Sequence, residues 1–202
     1  IRMDNYRRIL SLDSAMAVVQ FDKDGTQYQR KYFISYPDSV MVMKFTASKA
    51  GKQNLILSYC PNSEAKSHLK ADGNNGLVYT GILNNNGMKF AFRIKAIHKG
   101  GTLKAEDDRL IVKDADEVVF LLTADTDYKM NFNPDFKDSK AYVGNDPEQT
   151  TQAIMNQALQ KGYDELYRNH ENDYTSLFNR VRLQLNPEEN SPNLPTYQRL
   201  AN

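Results

Sequence analysis

Ala15-Met16-Ala17-Val18-Val19-Gln20-Phe21-Asp22-Lys23-Asp24-Gly25-Thr26-Gln27-Tyr28-Gln29-Arg30-Lys31-Tyr32-Phe33-Ile34-Ser35-Tyr36 is the run on which the fold turns. Ala15, Ala17, Val19 and Phe21 recur at every second position before Asp22-Lys23-Asp24-Gly25, and Tyr28, Tyr32, Ile34 and Tyr36 continue the alternation after it. Period two on both sides of a turn whose glycine tolerates a positive φ predicts a β-hairpin. The same period spreads outward. Met41, Met43 and Phe45 carry it on, then Leu55, Leu57 and Tyr59. Met88, Phe90, Phe92, Ile94 and Ala96 face one way and Lys89, Arg93 and Lys95 the other, which predicts a strand wet on one side. Short strands are expected near 102–105 and 109–113, and residues 118–122, apolar on both faces, read as a central strand. Six or more closely spaced strands predict an antiparallel sandwich rather than a βαβ fold.

The period changes at Asp146. Asp146 is a good N-cap, with Pro147 at N1 and Gln149 at N3, so a helix is expected to run from there to a stop at Gly162. A second helix follows, its stripe made of Tyr163, Leu166, Tyr167, His170, Tyr174, Leu177 and Phe178. Val181, Leu183 and Leu185 alternate with Arg180, Arg182 and Gln184, which predicts a returning strand; 186–195, with three prolines, reads as a linker, and Thr196 as the cap of a further helix. Between the strands and helices lies a polar stretch, 124–145, longer than most loops in compact domains and therefore expected to be functional.

Composition narrows the classes. The chain has 202 residues, a net charge of +1, twelve tyrosines and no tryptophan. A near-neutral chain lacks the broad positive field that drives nucleic-acid binding. Its charges are unevenly placed: residues 1–105 are basic and 106–150 acidic, which reads as solvated faces. No stretch approaches the roughly 18 apolar residues of a membrane span. Cys60 stands alone, without the spacing of a disulfide framework or zinc site. The chain opens on Ile1 rather than methionine, which reads as a processed or cut polypeptide.

No nucleotide-binding loop, GxSxG elbow or HExxH pair is present, so no cofactor is expected. His68, His98 and His170 lie far apart, and His170, on an apolar helical stripe, reads as a packing histidine. The carboxylates of 124–145 lack the offsets of a calcium loop, so no metal ligands are assigned. The acids offer no preferred pair for glycoside chemistry, and tyrosines at alternate strand positions read as sheet packing before they read as a sugar platform. The residues therefore name no catalytic group and no substrate-binding residue.

Several segments, taken in order, resemble glycoside hydrolase family 95. They are Tyr6-Arg7-Arg8-Ile9-Leu10-Ser11-Leu12-Asp13-Ser14-Ala15; Gly25-Thr26-Gln27-Tyr28-Gln29-Arg30-Lys31-Tyr32-Phe33-Ile34-Ser35-Tyr36-Pro37-Asp38; Ala115-Asp116-Glu117-Val118-Val119; and Thr123-Ala124-Asp125-Thr126-Asp127-Tyr128. The Asp146-Pro147 helix start, Gly162-Tyr163-Asp164-Glu165-Leu166, the run His170-Glu171-Asn172-Asp173-Tyr174-Thr175-Ser176-Leu177-Phe178-Asn179-Arg180-Val181-Arg182-Leu183 and the tail Leu194-Pro195-Thr196-Tyr197-Gln198-Arg199-Leu200 continue it. Ile9, where that family usually has a charge, and the turn Asn84-Asn85-Asn86-Gly87 depart from the pattern.

The resemblance implies an inverting α-L-fucosidase, or the related α-L-galactosidase, with an N-terminal β-super-sandwich, a helical linker and an (α/α)6 catalytic barrel. It places a glutamic acid and an asparagine–aspartate pair in the barrel, downstream of this sequence, so no catalytic residue carries over. It also places early strands before Ile1. The fold expected is thus mainly β: a partial antiparallel β-super-sandwich over 1–185, with two C-terminal helices as an excursion at 146–178, and the start of a helical linker at 186–202. The partners implied are the remainder of the same enzyme, barrel and early strands, and a glycan; the compartment implied is periplasmic or extracellular. The loop 124–145 is expected to face the barrel. Two other readings stand beside this one: an independent carbohydrate-binding or adhesion module, and a small self-contained hydrolase.

Overall fold

The computed structural model describes residues 3–60, 64–106, 108–182 and Gln198. Among the described residues, eleven strands precede a kinked helical run: β1 (Asp4–Ser11), β2 (Met16–Lys23), β3 (Thr26–Ser35), β4 (Val40–Ala47), β5 (Gln53–Ser58), β6 (Ala65–Ala71), β7 (Gly76–Leu83), β8 (Lys89–Lys99), β9 (Thr102–Glu106), β10 (Arg109–Ala115), β11 (Glu117–Thr126) and α1 (Pro147–Phe178). The mainly β, antiparallel, sandwich-like fold is the one expected.

The quoted run folds as the hairpin β2–β3. Lys23 stands opposite Thr26, and the two turn residues between them, Asp24 and Gly25, take φ of 50° and 67°. Two successive left-handed residues make the tight turn whose twist matches the flanking strands. β1 to β4 form a meander, and β11 then inserts beside β4, giving an eight-stranded sheet in the order β1-β2-β3-β4-β11-β8-β7-β6. β11 is central, as its two apolar faces require. β5, β10 and β9 form a separate three-stranded sheet in that order.

The large sheet has a core on each face. On one, Met16, Phe33, Val40, Val42, Val119 and Leu121 pack against Met155, Ala158 and Leu166 of α1. On the other, Val118, Phe120, Ile94, Ala96 and Leu77 pack against Leu110 and Val112 of the small sheet. This division corrects the hairpin's reading. The helix takes Met16 and Phe33, whereas Ile34 and Tyr36, placed on the apolar face, are exposed. β2 is apolar on both faces, so its period could not say which face the helix would cover.

The expected pair of helices is present: α1 is two helical segments that meet across a kink at Gly162, with φ 71° and ψ 175°. The glycine takes the left-handed φ of a helix stop, but the chain resumes its helix at once and both halves bury residues against the same sheet. Arg93, placed on the wet face of β8, is only 4% exposed. The returning strand does not begin at the described residues, since Val181 and Arg182 are irregular and Val181 is exposed. Leu183 and Leu185, the proline linker 186–195 and the Thr196 cap lie outside the described residues.

Candidate functional site

The singled-out histidines sit apart in the fold. His170, on α1, donates from Nε2 to the Ala15 carbonyl at 2.8 Å and stacks on Phe33 with ring centroids 5.0 Å apart. It pins the helix to the turn before β2, a packing role. His98 reaches the Gly100 carbonyl 2.8 Å away at the end of β8. His68, on β6, lines a surface groove of about 480 Å³ with Lys66, Thr80 and Lys89, closed at one side by Asp146 and Glu148. Cys60 is exposed, and among the described residues no cluster of metal-ligating side chains occurs.

Three carboxylates drawn wholly or partly out of solvent are structural. Burial pushes the Asp38 carboxyl up, but hydrogen bonds from Lys161 Nζ at 2.6 Å, Ser35 Oγ at 2.6 Å and Asn169 outweigh it and hold it below the ordinary range. Asp72 is likewise raised by burial and lowered further by the hydrogen bonds it accepts from Arg93 and Lys95. Asp72 is the reason Arg93 can be buried at all, since a guanidinium without a carboxylate would not leave water. Burial also raises Glu117, and Lys44 and Lys99 together bring it below its usual value. A general acid working near neutrality needs its carboxyl raised, so these three are ion-pair anchors rather than proton donors.

The tyrosines are distributed rather than gathered. Tyr59 and Tyr79 pack at one end of the sandwich with Phe90 and Phe92, Tyr59 and Tyr79 with centroids 4.3 Å apart. They adjoin an almost wholly apolar cavity of about 310 Å³ between the sheets, lined by Met43, Leu57, Leu77 and Leu122. Tyr163, Tyr167 and Tyr174 run along α1 in a ladder with His170, which ends at Phe178. Tyr28 and Tyr32 lie on the exposed half of the large sheet.

The most distinctive surface is the loop after β11. Tyr128 and Val143 form a bridge; Gly144 N–H donates to Asp127 at 2.6 Å, Lys129 N–H to Tyr142 at 2.7 Å, and the Asn131 side chain to Ala141. The loop is therefore held by its own backbone. Out of this frame Phe132 and Phe136 project into solvent, 93% and 87% exposed, near the stacked pair Tyr128 and Tyr142. The length of the loop marked it in the sequence; the two phenylalanines were not singled out, although phenylalanine inside a polar loop is itself a signal.

No helix among the described residues is long and apolar enough to cross a membrane. In comparisons with known proteins, the Aspergillus niger protein described as probable alpha-fucosidase A is 28% identical over 209 residues, covering 98% of this chain and 26% of that protein. Alpha-L-fucosidase 2 of Arabidopsis thaliana is 27% identical over 205 residues, covering 90% and 24%. The chain thus spans about a quarter of the length of these curated relatives. A solved structure described as a kojibiose phosphorylase from the human microbiome superimposes with a TM-score of 0.57 at 10% identity, covering 88% of this chain and 25% of that one, a likeness of fold. The family model described as "Glycosyl hydrolase family 65, N-terminal domain" matches residues 2–131, a span that takes in all eleven strands and ends in the loop before α1. By that match the chain belongs to the glycosyl hydrolase family 65 N-terminal domain family.

Proposed function

We propose that this chain is a noncatalytic part of an inverting glycoside hydrolase of the family 95 type, acting on α-L-fucosides or α-L-galactosides of glycans, and that it supports an (α/α)6 catalytic barrel lying outside these 202 residues. The observation that carries the reading is the alignment with a described fucosidase over 98% of the chain, together with the ordered segments that resemble family 95. Those segments fall on elements that build the scaffold: the first on β1 and its turn, the second on β3, and the His170 segment on the end of α1. The charged groups drawn together in the fold are ion pairs, which suits a support and not a reaction centre. In this reading 1–185 is the latter part of the sandwich, 186–202 leads into the barrel, the loop carrying Phe132 and Phe136 faces that barrel, and the enzyme works in the periplasm or outside the cell.

The test is an assay of two proteins, the full-length polypeptide and residues 1–202, on α-L-fucosyl and α-L-galactosyl oligosaccharides, with the anomer released followed by NMR. Release of the inverted sugar by the full-length protein alone is expected. Hydrolysis by residues 1–202 alone would refute the noncatalytic assignment, and a full-length protein inert on both sugars would refute the substrate class. The aromatic loop favours one second reading, an independent glycan-binding or adhesion module. Saturable calorimetric binding of fucosylated glycans by residues 1–202, abolished by Phe132→Ala, would establish it.

A further inference from the structure

The first half of α1 lies over the large sheet with Thr151, Met155 and Ala158 buried, and Thr123 of β11 donates to the Thr151 carbonyl at 3.2 Å. Beside that buried face runs a second stripe, Gln149, Gln152 and Asn156, at steps of three and four residues. Between this stripe and β8 opens a groove of about 530 Å³, lined by Arg93, Asp146, Glu148, Gln149, Gln152 and Asn156. Its size is that of a small-molecule cleft, but its walls are polar where such clefts are mostly apolar. Past Asp146 and Glu148 it continues into the groove that holds Lys66, His68, Thr80 and Lys89. The shape suits an elongated chain rather than a compact molecule.

Arg93 marks the groove as more than a surface crease. It is 4% exposed, its Nη1 donates to Asp72, and its buried Nε–H has no hydrogen-bond partner among the described residues. A buried guanidinium N–H without an acceptor is uncommon, because it has left water and gained nothing in exchange. The opening beside it is the groove, and an oxygen seated on the groove floor supplies the acceptor. On the helical wall Gln152 Nε2 donates to Asn156 Oδ1 at 2.9 Å, which fixes both amides and leaves Gln152 Oε1 to accept and Asn156 Nδ2 to donate. Charge then decides the class of ligand. Arg93 and Lys95 share Asp72, 3.0 Å from Lys95 Nζ, Lys70 faces Glu148 at 3.4 Å, and Asp146 caps α1. Each cation of this stretch already has a carboxylate, and Asp146 adds a further negative charge that repels an anion. Lys66 and Lys89 stand only beyond those two acids. What fits is uncharged and carries donors and acceptors side by side, as vicinal sugar hydroxyls do.

We infer that the groove between β8 and the first half of α1 binds a neutral oligosaccharide chain, one oxygen of which accepts from the Arg93 guanidinium while adjacent hydroxyls exchange hydrogen bonds with Gln149, Gln152 and Asn156. It holds the glycan without reacting with it. The inference rests on the proposed function only in taking a fucosylated glycan as the chain bound; the preference of the groove for a neutral saccharide does not depend on what is hydrolysed.

The test uses the full-length polypeptide with Gln152→Ala combined with Asn156→Ala and, separately, with Ala153→Trp, which fills the groove from an exposed position. Arg93 is kept, since removing it would strand Asp72. The substrates are a neutral polysaccharide bearing α-L-fucosyl branches and p-nitrophenyl α-L-fucoside, which is too small to bridge two sites. A second contact raises the local concentration of a polymer and not of a monomer, so KM on the polysaccharide is expected to rise about five- to tenfold in both variants, with kcat and hydrolysis of the aryl fucoside unchanged. An unchanged KM in both variants overturns the inference, and so does an equal loss on both substrates in Ala153→Trp, which marks a structural role. Affinity electrophoresis through the same polysaccharide reads binding without turnover: the parent is expected to be retarded and the variants much less so. A polypeptide retarded in this way but inert on both substrates refutes the proposed function and upholds the inference, whereas equal retardation of parent and variants overturns the inference alone. Retardation of the parent by polygalacturonate and not by the neutral polymer overturns the neutral class.

Discussion

Asp38 joins β3 to α1 through three donors, and its low folded pKa makes it a stability device with a defined pH range. Since the folded state binds this proton less tightly than the unfolded one, the contribution is complete above about pH 4 and is lost as the pH falls through the folded value. Asp38→Asn should therefore cost about 2 kcal/mol at pH 7 and flatten the acid limb of stability, read by urea unfolding between pH 2 and 5. Tyr163 works at the other extreme. Burial, with Tyr167, Asp164 and Glu117 nearby, pushes its hydroxyl up to about 12. Its stabilisation is whole below about pH 10 and disappears as the pH rises through 12, so Tyr163→Phe should make alkaline unfolding between those values shallower. The packing role of His170 was legible in its helical stripe. The Asp38 cluster was not, because its partners Lys161 and Asn169 lie 123 and 131 residues away. Arg93 misled for the same reason: alternation gives the face of a strand, not the presence of Asp72 above it.

Gly162 decides how α1 follows the sheet. A φ of 71° with a ψ of 175° is a conformation that essentially only glycine adopts, and a β-carbon there would meet nothing within 4 Å. Gly162→Ala should thus destabilise by about 1–3 kcal/mol through the backbone alone, without steric overlap, measurable by thermal unfolding. Leu166, fully buried between α1 and the large sheet, should cost about 2–5 kcal/mol when replaced by alanine. The hairpin β2–β3, the central strand β11 and the Asp146 cap were readable because turn chemistry, period and capping are local. β6 and β7 were not read as strands, since Lys66, His68 and Lys70 leave β6 without an apolar stripe and the small residues Gly76 and Gly81 interrupt β7. The break at Gly162 was legible as well, because glycine is the residue that takes the left-handed φ of a helix stop.

At the scale of the molecule, the sandwich class was legible and its division into sheets of eight and three strands was not, because pairing of β4 with β11 and of β5 with β10 is set by distant residues. The loop that presents Phe132 and Phe136 is anchored by its own backbone, so Phe132→Ser combined with Phe136→Ser should leave stability within about 0.5 kcal/mol. If the loop faces a barrel, the same pair should lower kcat/KM of the full-length enzyme about tenfold, measured on the fucosyl substrate. The β4–β11 pairing has a consequence for synthesis. Met41 meets Leu122 and Thr46 meets Glu117, so the middle of the large sheet cannot close until some seventy to eighty residues after β4 have been made. At ribosomal rates that interval is on the order of ten seconds, during which the meander β1–β4 waits with an open apolar edge. The nascent chain is then most exposed to misassembly, and slowing translation between β4 and β11 should lower the yield of folded protein more than slowing it after β11.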